Sequence, residues 1–289
     1  MALEPAYLRQ LELLQIRARR KFLGNRQGGH ISIKRGHGIE FSDYRQYELG
    51  DDPRHIDWGV FGKTDRLYVK QFQEEQDLAV MLVLDSSASM RIAEPEKWQR
   101  AIDTALSIAY VALMQQDRVM FTFPGAFVSP VYAGAKAIHN LTRDIAKAPV
   151  ELSESTTNGL QRALTQIRFP GIAVVISDLL LPIEDLREMF QSLRAKNLDI
   201  HAIQVLGRTD LSPLSIGEQA RVIDSENGSE VELVMSDRRS REYQAILDEH
   251  NTEVGEFLAS AAIPYTTALP GQSVAEFVVE KLSRTSLFG

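Results

Sequence analysis

The chain has 289 residues, 44% of them apolar, with 32 Lys+Arg against 39 Asp+Glu and a net charge of -7. That supplies enough apolar material for one large core or two modest ones, and the acidic balance removes any global reason to bind nucleic acid or an anionic membrane. Cysteine is absent, which excludes disulfides, thiolate metal sites and cysteine nucleophiles, so a metal would have to be held by oxygen or histidine.

The first residues, MALEPAYLRQLELLQ, lack the basic start, apolar run and small-residue cleavage site of a secretory leader. No stretch approaches the roughly 18 apolar residues of a membrane span, and the expectation is a soluble, cytoplasmic protein. Pro5 at a first helical position, followed by Leu8, Leu11, Leu14 and Ile16, predicts a short amphipathic helix from 5 to about 20. From Arg17 to His37 the chain is basic and glycine-rich, with Arg17, Arg19, Arg20, Lys21, Arg26, Lys34 and Arg35 and no acid. Phe22 is its sole aromatic, too little to stack on bases, so this segment reads as a solvated face. Apolar and aromatic pieces at Ile39–Tyr47 and Leu67–Phe72 flank the turn-forming Gly50-Asp51-Asp52-Pro53, predicting a small β-rich module over 30–76. The first domain is thereby set at 1–76 and the second at 77–289.

The second domain alternates strand and helix. Leu78–Leu84 is a continuous apolar run, as in a parallel strand covered on both faces. Trp98, Ile102, Ala105, Ala109 and Leu113 mark a helix stripe, and Val119–Phe123 the next strand. Helices near Gly159–Ile167 and Glu184–Lys196 alternate with strands at Ile172–Ser177 and Asp199–Val205. Asn227-Gly228, between Arg221–Ile223 and Val231–Val234, signals an antiparallel hairpin near a sheet edge. A long helix through Tyr243, Leu247, His250, Val254 and Leu258, a strand at Ile263–Leu269 and a helix at Val274–Leu282 complete the pattern. Such alternation predicts an α/β fold with a doubly wound, mainly parallel, Rossmann-like sheet.

Asp85-Ser86-Ser87-Ala88-Ser89 follows the first of these strands, at the carboxyl end where open α/β sheets bind ligands. One carboxylate and two hydroxyls at Asp85, Ser87 and Ser89 suit a hard cation such as Mg²⁺. The plain alternative is an Asx-type cap on the following helix. A second apolar strand ends at Ser177-Asp178, and Thr156-Thr157 precede a helix, so three loops can converge on one crevice. Asp85 and Asp178 at about 4 Å would repel by about 4 kcal/mol at an effective dielectric near 20, which a cation or a proton would relieve. Taken alone, Thr157 could equally be a helix cap and Asp178 a loop acceptor.

Asp85-x-Ser87-x-Ser89, a loop Thr and the strand-terminal Asp178 resemble the metal-ion-dependent adhesion site (MIDAS) of von Willebrand factor A domains. Upstream, Arg35-Gly36-His37-Gly38-Ile39-Glu40-Phe41, Arg45-Gln46-Tyr47, Gly50–Trp58 and Leu67–Phe72 resemble a bacterial von Willebrand A-like family catalogued as domain of unknown function fifty-eight. The resemblance implies a Rossmann-like A domain with Mg²⁺, or another divalent cation such as Mn²⁺ or Ca²⁺, held by Asp85, Ser87, Ser89, Thr157 and Asp178. Thr156 is the alternative loop ligand, since Ser155-Thr156 replace the glycines usual before the ligand Thr. Gly62-Lys63 likewise stand where the family often has Ala-Arg. One open metal position would accept a carboxylate from a protein ligand, and the implied partner is a MoxR-type AAA+ ATPase, a client protein, or both. Arg45, Asp51, Asp52, Arg54 and Asp57 also admit a plain reading as an ion-pair and turn network, with Trp58 and Phe72 as apolar anchors.

Two other readings compete with this non-catalytic adaptor. An Asp ending a first strand is where Mg-dependent phosphohydrolases keep a nucleophile, yet their second carboxylate two residues on is here Ser87. A metal-free structural A domain would instead fill the crevice with side chains. Separation of Ser87, Ser89 and Asp178, or a lysine ammonium in the open position, would remove the metal reading.

Overall fold

A computed structural model describes residues 4–17, 40–73, 78–92, 94–151, 156–167, 171–212, 219–223 and 230–288. The chain divides into two compact units, one of residues 1–21 with 78–289 and one of 22–77. The predicted helix from 5 to 20 is shorter than its apolar spacing suggested. Helix α1 runs Pro5–Leu11, and Ile16 forms an isolated antiparallel bridge with Phe288 while its amide donates to Gln115 Oε1 at 2.8 Å. The start of the chain therefore groups with the larger unit, not with the small module to which the sequence reading assigned it. Most of the basic segment 17–37 lies outside the described residues.

In the smaller unit, strands β1 (Glu40–Gln46) and β2 (Tyr68–Gln73) pair antiparallel with an irregularity between Phe41 and Asp43. Helix α2 (Trp58–Thr64) lies between them, and Asp57 caps it by accepting from the amides of Gly59 and Val60. The family-like residues here form a local polar network. Arg45 pairs with Asp51 at 2.7 Å, Arg54 with Asp52 at 2.7 Å, and the Tyr44 hydroxyl donates to Asp57. These contacts hold the Asp51 and Asp52 carboxyls below the usual carboxylate range: for Asp51 first the Glu48 amide and then the Arg45 guanidinium, for Asp52 the Arg54 guanidinium, which brings it to about 2. Within this unit Trp58 is 63% exposed and meets Phe61 edge to face.

The larger unit is built on strands β3 (Ala79–Leu84), β4 (Arg118–Phe123), β5 (Phe127–Val128), β6 (Tyr132–Ala133), β7 (Gly171–Ser177) and β8 (Asp199–Val205), with β9 (Gln219–Ile223), β10 (Glu230–Val234) and β11 (Tyr265–Ala268) following. The central sheet has the order β11-β8-β7-β3-β4-β5, with β6 also on β4. Pairings from β11 to β4 are parallel, and β5 and β6 are antiparallel to β4. Strands β9 and β10 pair antiparallel as expected, but as a separate two-stranded sheet instead of at the edge of the central one. Their turn, 224–229, lies outside the described residues.

Period-2 alternation explains how β3 serves two cores. Val80, Leu82 and Leu84 pack with helices α4 (Pro95–Met114) and α5 (Ala137–Lys147) and with α1, whereas Met81 and Val83 pack with α6 (Thr156–Gln166), α7 (Ile183–Ala195) and α9 (Asp237–Ser260). Between β3 and α4 lies the single helical turn α3 (Ala88–Arg91), and after β8 the turn α8 (Arg208–Leu211). The chain closes with one turn at Val274–Glu276, a π-helical turn at Phe277–Lys281 and a 3₁₀ turn at Leu282–Arg284 in place of the single predicted helix. This is a mixed α/β, Rossmann-like architecture.

Candidate functional site

The strand order reverses at β3, which has its sequence neighbour β4 on one side and the later β7 on the other. Open sheets leave a crevice beyond the strand carboxyl ends at such a switch point. Asp85 is the first residue past β3, and its amide donates to Ile176 O at 2.9 Å, extending the β3–β7 ladder. Asp178 is the first residue past β7. Register alone therefore brings the two acids to one place.

Their side chains join through hydroxyls. Ser87 Oγ and Ser89 Oγ lie 3.0 Å apart, and Ser89 donates to Asp178 Oδ2 at 2.8 Å. Asp85 Oδ1 accepts from the Ser87 amide at 2.9 Å, an Asx-type turn, and Oδ2 accepts from Ser177 Oγ at 2.6 Å. The Ser87 hydroxyl does not cap α3, while Asp85 makes the Asx-type turn of the plain alternative. Burial and, second, the neighbouring Asp178 carboxylate raise the Asp85 carboxyl above the ordinary Asp range.

Thr156 and Thr157 open helix α6. Gly159 fixes that end of the helix: a Cβ there would stand 2.0 Å from the backbone N of Gly125, in the turn after β4. The α6 amino end thus reaches the same carboxyl edge of the sheet. Among the described residues, neither threonine is hydrogen-bonded to Asp85, Ser87, Ser89 or Asp178, so the structure brings four of the five expected residues into one cluster.

The Asp178 loop is held from behind. Leu179 is fully buried with φ +55, a conformation that costs a non-glycine residue about 1–3 kcal/mol and persists only where the surroundings impose it. Its amide donates to Ser177 Oγ at 2.9 Å and its carbonyl accepts from His250 Nε2 at 2.7 Å. Gln204 Nε2 donates to Asp178 O and to Asn251 Oδ1, each at 2.9 Å, while Tyr265 and Thr267 donate to Gln204 Oε1. Strand β8 and helix α9 thereby fix the backbone that presents Asp178.

One further residue escaped the sequence reading. Lys97, in the first turn of α4, is 0% exposed, and its ammonium meets Asp178 Oδ2 at 2.8 Å, Asp210 Oδ2 at 2.8 Å and Ser89 O at 3.3 Å. Those three acceptors use all three ammonium protons. The ammonium is fully buried, whereas Ser87 and Ser89 keep partial exposure. Its signal was present: Lys97, Ala101, Ala105, Ile108 and Ala112 follow helical spacing and are all fully buried, so a lysine continues the apolar stripe.

The donor set is all oxygen, with two hydroxyls 3.0 Å apart and an Asp85 carboxylate whose own partners are neutral donors. That chemistry fits a hard divalent cation. Among the described residues, no group of three or more His, Asp or Glu comes together as a metal cage, so a cation here would depend on the serine hydroxyls.

Residues 43–253 match the family model described as "Protein of unknown function DUF58". Two relatives are each 27% identical over 270 residues, which is 90% of this chain and 84% of theirs: Uncharacterized protein Rv1480 of Mycobacterium tuberculosis (strain ATCC 25618 / H37Rv) and Uncharacterized protein Mb1516 of Mycobacterium bovis (strain ATCC BAA-935 / AF2122/97). Among solved structures, the conserved hypothetical protein BatB from Bacteroides thetaiotaomicron aligns with TM-score 0.40 and 12% identity, over 72% of this chain and 98% of its own. An aerotolerance-related membrane protein from Bacteroides fragilis NCTC 9343, with multiple mutations to serines, aligns with TM-score 0.40 and 15% identity, over 72% and 100%. Likeness at that TM-score carries no argument about the site.

Proposed function

We propose that this chain, which belongs to the DUF58 family of proteins of unknown function, is a non-catalytic von Willebrand A-like adaptor that binds a protein partner through a divalent cation. The observation that carries the reading is the Asp85, Ser87, Ser89 and Asp178 cluster at the switch point between β3 and β7. Asp85, Ser87 and Ser89 would hold the cation, Asp178 would act directly or through Ser89, and Thr157 or Thr156 would complete the set from α6. Bound Mg²⁺ or Mn²⁺ supplies a Lewis-acidic position for a carboxylate oxygen of the partner. The partner class is a MoxR-type AAA+ ATPase, a client protein, or both, in the assembly or activation of other proteins. None of the described helices is long and apolar enough to cross a membrane, and the reading places the chain in the cytoplasm.

A nucleophilic role for Asp85 is the weaker alternative. Both its oxygens accept hydrogen bonds, from the Ser87 amide and the Ser177 hydroxyl, and Ser87 stands where the acid/base carboxylate would be needed. A second reading, a metal-free A-type domain, draws support from the Lys97 ammonium, a fixed positive charge already on Asp178.

Thermal unfolding with added Mg²⁺ or Mn²⁺ separates them. A cation at a hundred times its Kd stabilises by about 2.7 kcal/mol through mass action, and Asp85→Ala and Ser87→Ala are expected to abolish the rise while remaining folded. An equal rise in both variants would reject the site. Pull-down of the ATPase is expected to fail with Asp85→Ala, whereas phosphoester turnover lost in that variant would favour the hydrolase.

A further inference from the structure

We infer that Lys97 is the site's built-in counter-cation: its ammonium holds Asp178 and Asp210 when no divalent ion is present and weakens the site's affinity for one. The inference rests on the cation-binding reading above and names what regulates that site.

A lysine with no exposure is retained only where carboxylates replace its lost hydration. Lys97 has two, Asp178 from the end of β7 and Asp210 from the turn after β8, and it also reaches the carbonyl of Ser89 beyond β3. Three strand ends are therefore tied by one ammonium. The pocket around it is built with the same care. Lys97 N donates to Glu94 O at 2.9 Å, Gly207 N donates to Asp210 Oδ2 at 2.8 Å, and the Glu94 carboxylate accepts from Thr209 N at 3.2 Å. These contacts fix the start of α4 to the β8–α8 turn and aim the lysine stem inward.

Charge compensation across the cluster is lopsided. Asp178 and Asp210 share an ammonium, but Asp85 is met by an amide and a hydroxyl. Asp178 Oδ2 accepts from both Lys97 and Ser89, and Oδ1 from the Leu180 amide at 3.2 Å, so direct coordination through Oδ2 would require one of its two donors to leave. Ser89, while donating to Asp178 and accepting from Ser87, still has one lone pair free for a cation. The arrangement favours Asp85, Ser87 and Ser89 as ligands, with Asp178 orienting Ser89, and it keeps one positive charge close to where a divalent ion would sit. That charge lowers affinity and leaves more of the ion's own charge for a partner carboxylate.

The test is Mn²⁺ binding by titration calorimetry to the full chain as wild type, Lys97→Met and Asp210→Asn, with melting temperatures recorded in EDTA and in Mn²⁺. Lys97→Met is expected to melt lower than wild type in EDTA, to recover in Mn²⁺, and to bind Mn²⁺ about tenfold tighter or more, because a repelling unit charge has gone. Asp210→Asn, which removes an anion and leaves Lys97 to Asp178 alone, is expected to bind about threefold weaker or worse. Equal or weaker binding by Lys97→Met overturns the inference while the cation site stands. Should Lys97→Met not fold even in Mn²⁺, unchanged affinity in Asp210→Asn overturns it. Absence of binding by both wild type and Lys97→Met removes the cation reading itself, and the inference with it.

Discussion

Ser177 donates its hydroxyl proton to Asp85 Oδ2 at 2.6 Å, across the boundary between two parallel strands. The Ser177 hydroxyl oxygen in turn accepts the Leu179 amide proton at 2.9 Å, so one hydroxyl joins both acid-bearing loops. Ser177→Ala leaves a carboxylate oxygen and a buried amide without these partners, and is expected to cost about 1–3 kcal/mol. Urea unfolding measures it, and a midpoint equal to wild type would show the hydroxyl to be dispensable.

Gly159 and Gly255 are expected to respond to alanine with opposite signs. A Cβ at Gly159 would stand 2.0 Å from Gly125 N, backbone that cannot swing aside. Gly159→Ala is therefore expected to lose about 1–3 kcal/mol and to shift the α6 end that carries Thr157. Gly255, inside α9, has nothing within 4 Å of its Cβ direction, so alanine there is expected to gain about 0.5–1 kcal/mol from helix propensity. Matched urea titrations of the two variants check both signs.

The α/β fold and the meeting of the two acid-bearing loops were legible for the same reason. Apolar runs such as Leu78–Leu84 and Ile172–Ile176 are buried on both faces, so strand identity and the position just beyond each strand read directly from composition; Asp85 and Asp178 follow. Ser87 and Ser89 came with Asp85 because local spacing carries them. Lys97 and Asp210 were not legible as partners, since 81 residues separate Lys97 from Asp178 and the pairing depends on the first turn of α4 meeting the segments after β3, β7 and β8. Gln204 and His250 act on backbone carbonyls, and Asn251 acts on Gln204, contacts that leave no mark in side-chain pattern. The overlong reading of α1 failed because Leu14 and Ile16 are apolar for another reason: Leu14 packs on the core from outside the helix, and Ile16 bridges to Phe288.

Asp103 provides a pH test away from the site. It is 4% exposed on α4, and burial raises its carboxyl despite the hydrogen bond from Gln99. An acid whose folded value lies above its unfolded value, about 3.9, binds its proton more tightly when folded. Its favourable contribution is complete below the unfolded value and is lost as pH rises through the folded one. Asp103→Asn removes that loss, so its melting temperature relative to wild type is expected to climb between about pH 3 and pH 7. A difference that stays flat would place the Asp103 charge in water.

Gln204 tests the support behind Asp178. Gln204→Leu leaves the Asp178 carbonyl, Asn251 Oδ1 and the Tyr265 hydroxyl without its amide. The expected cost is about 1–3 kcal/mol, with weaker Mn²⁺ binding because Leu179 is then freer to leave its positive φ. Full stability loss with unchanged Mn²⁺ affinity would show that the network serves folding alone.

The central claim, that serine hydroxyls and Asp85 at the β3–β7 switch point ligate a divalent ion, is tested most directly by crystals grown in saturating Mn²⁺ and measured for anomalous scattering. The account expects a metal peak about 2.2 Å from both Ser87 Oγ and Ser89 Oγ, with Asp85 bound directly or through one water and Lys97 still on Asp210. A crevice with no anomalous peak, where the Lys97 ammonium is the one cation touching Asp178, would contradict it.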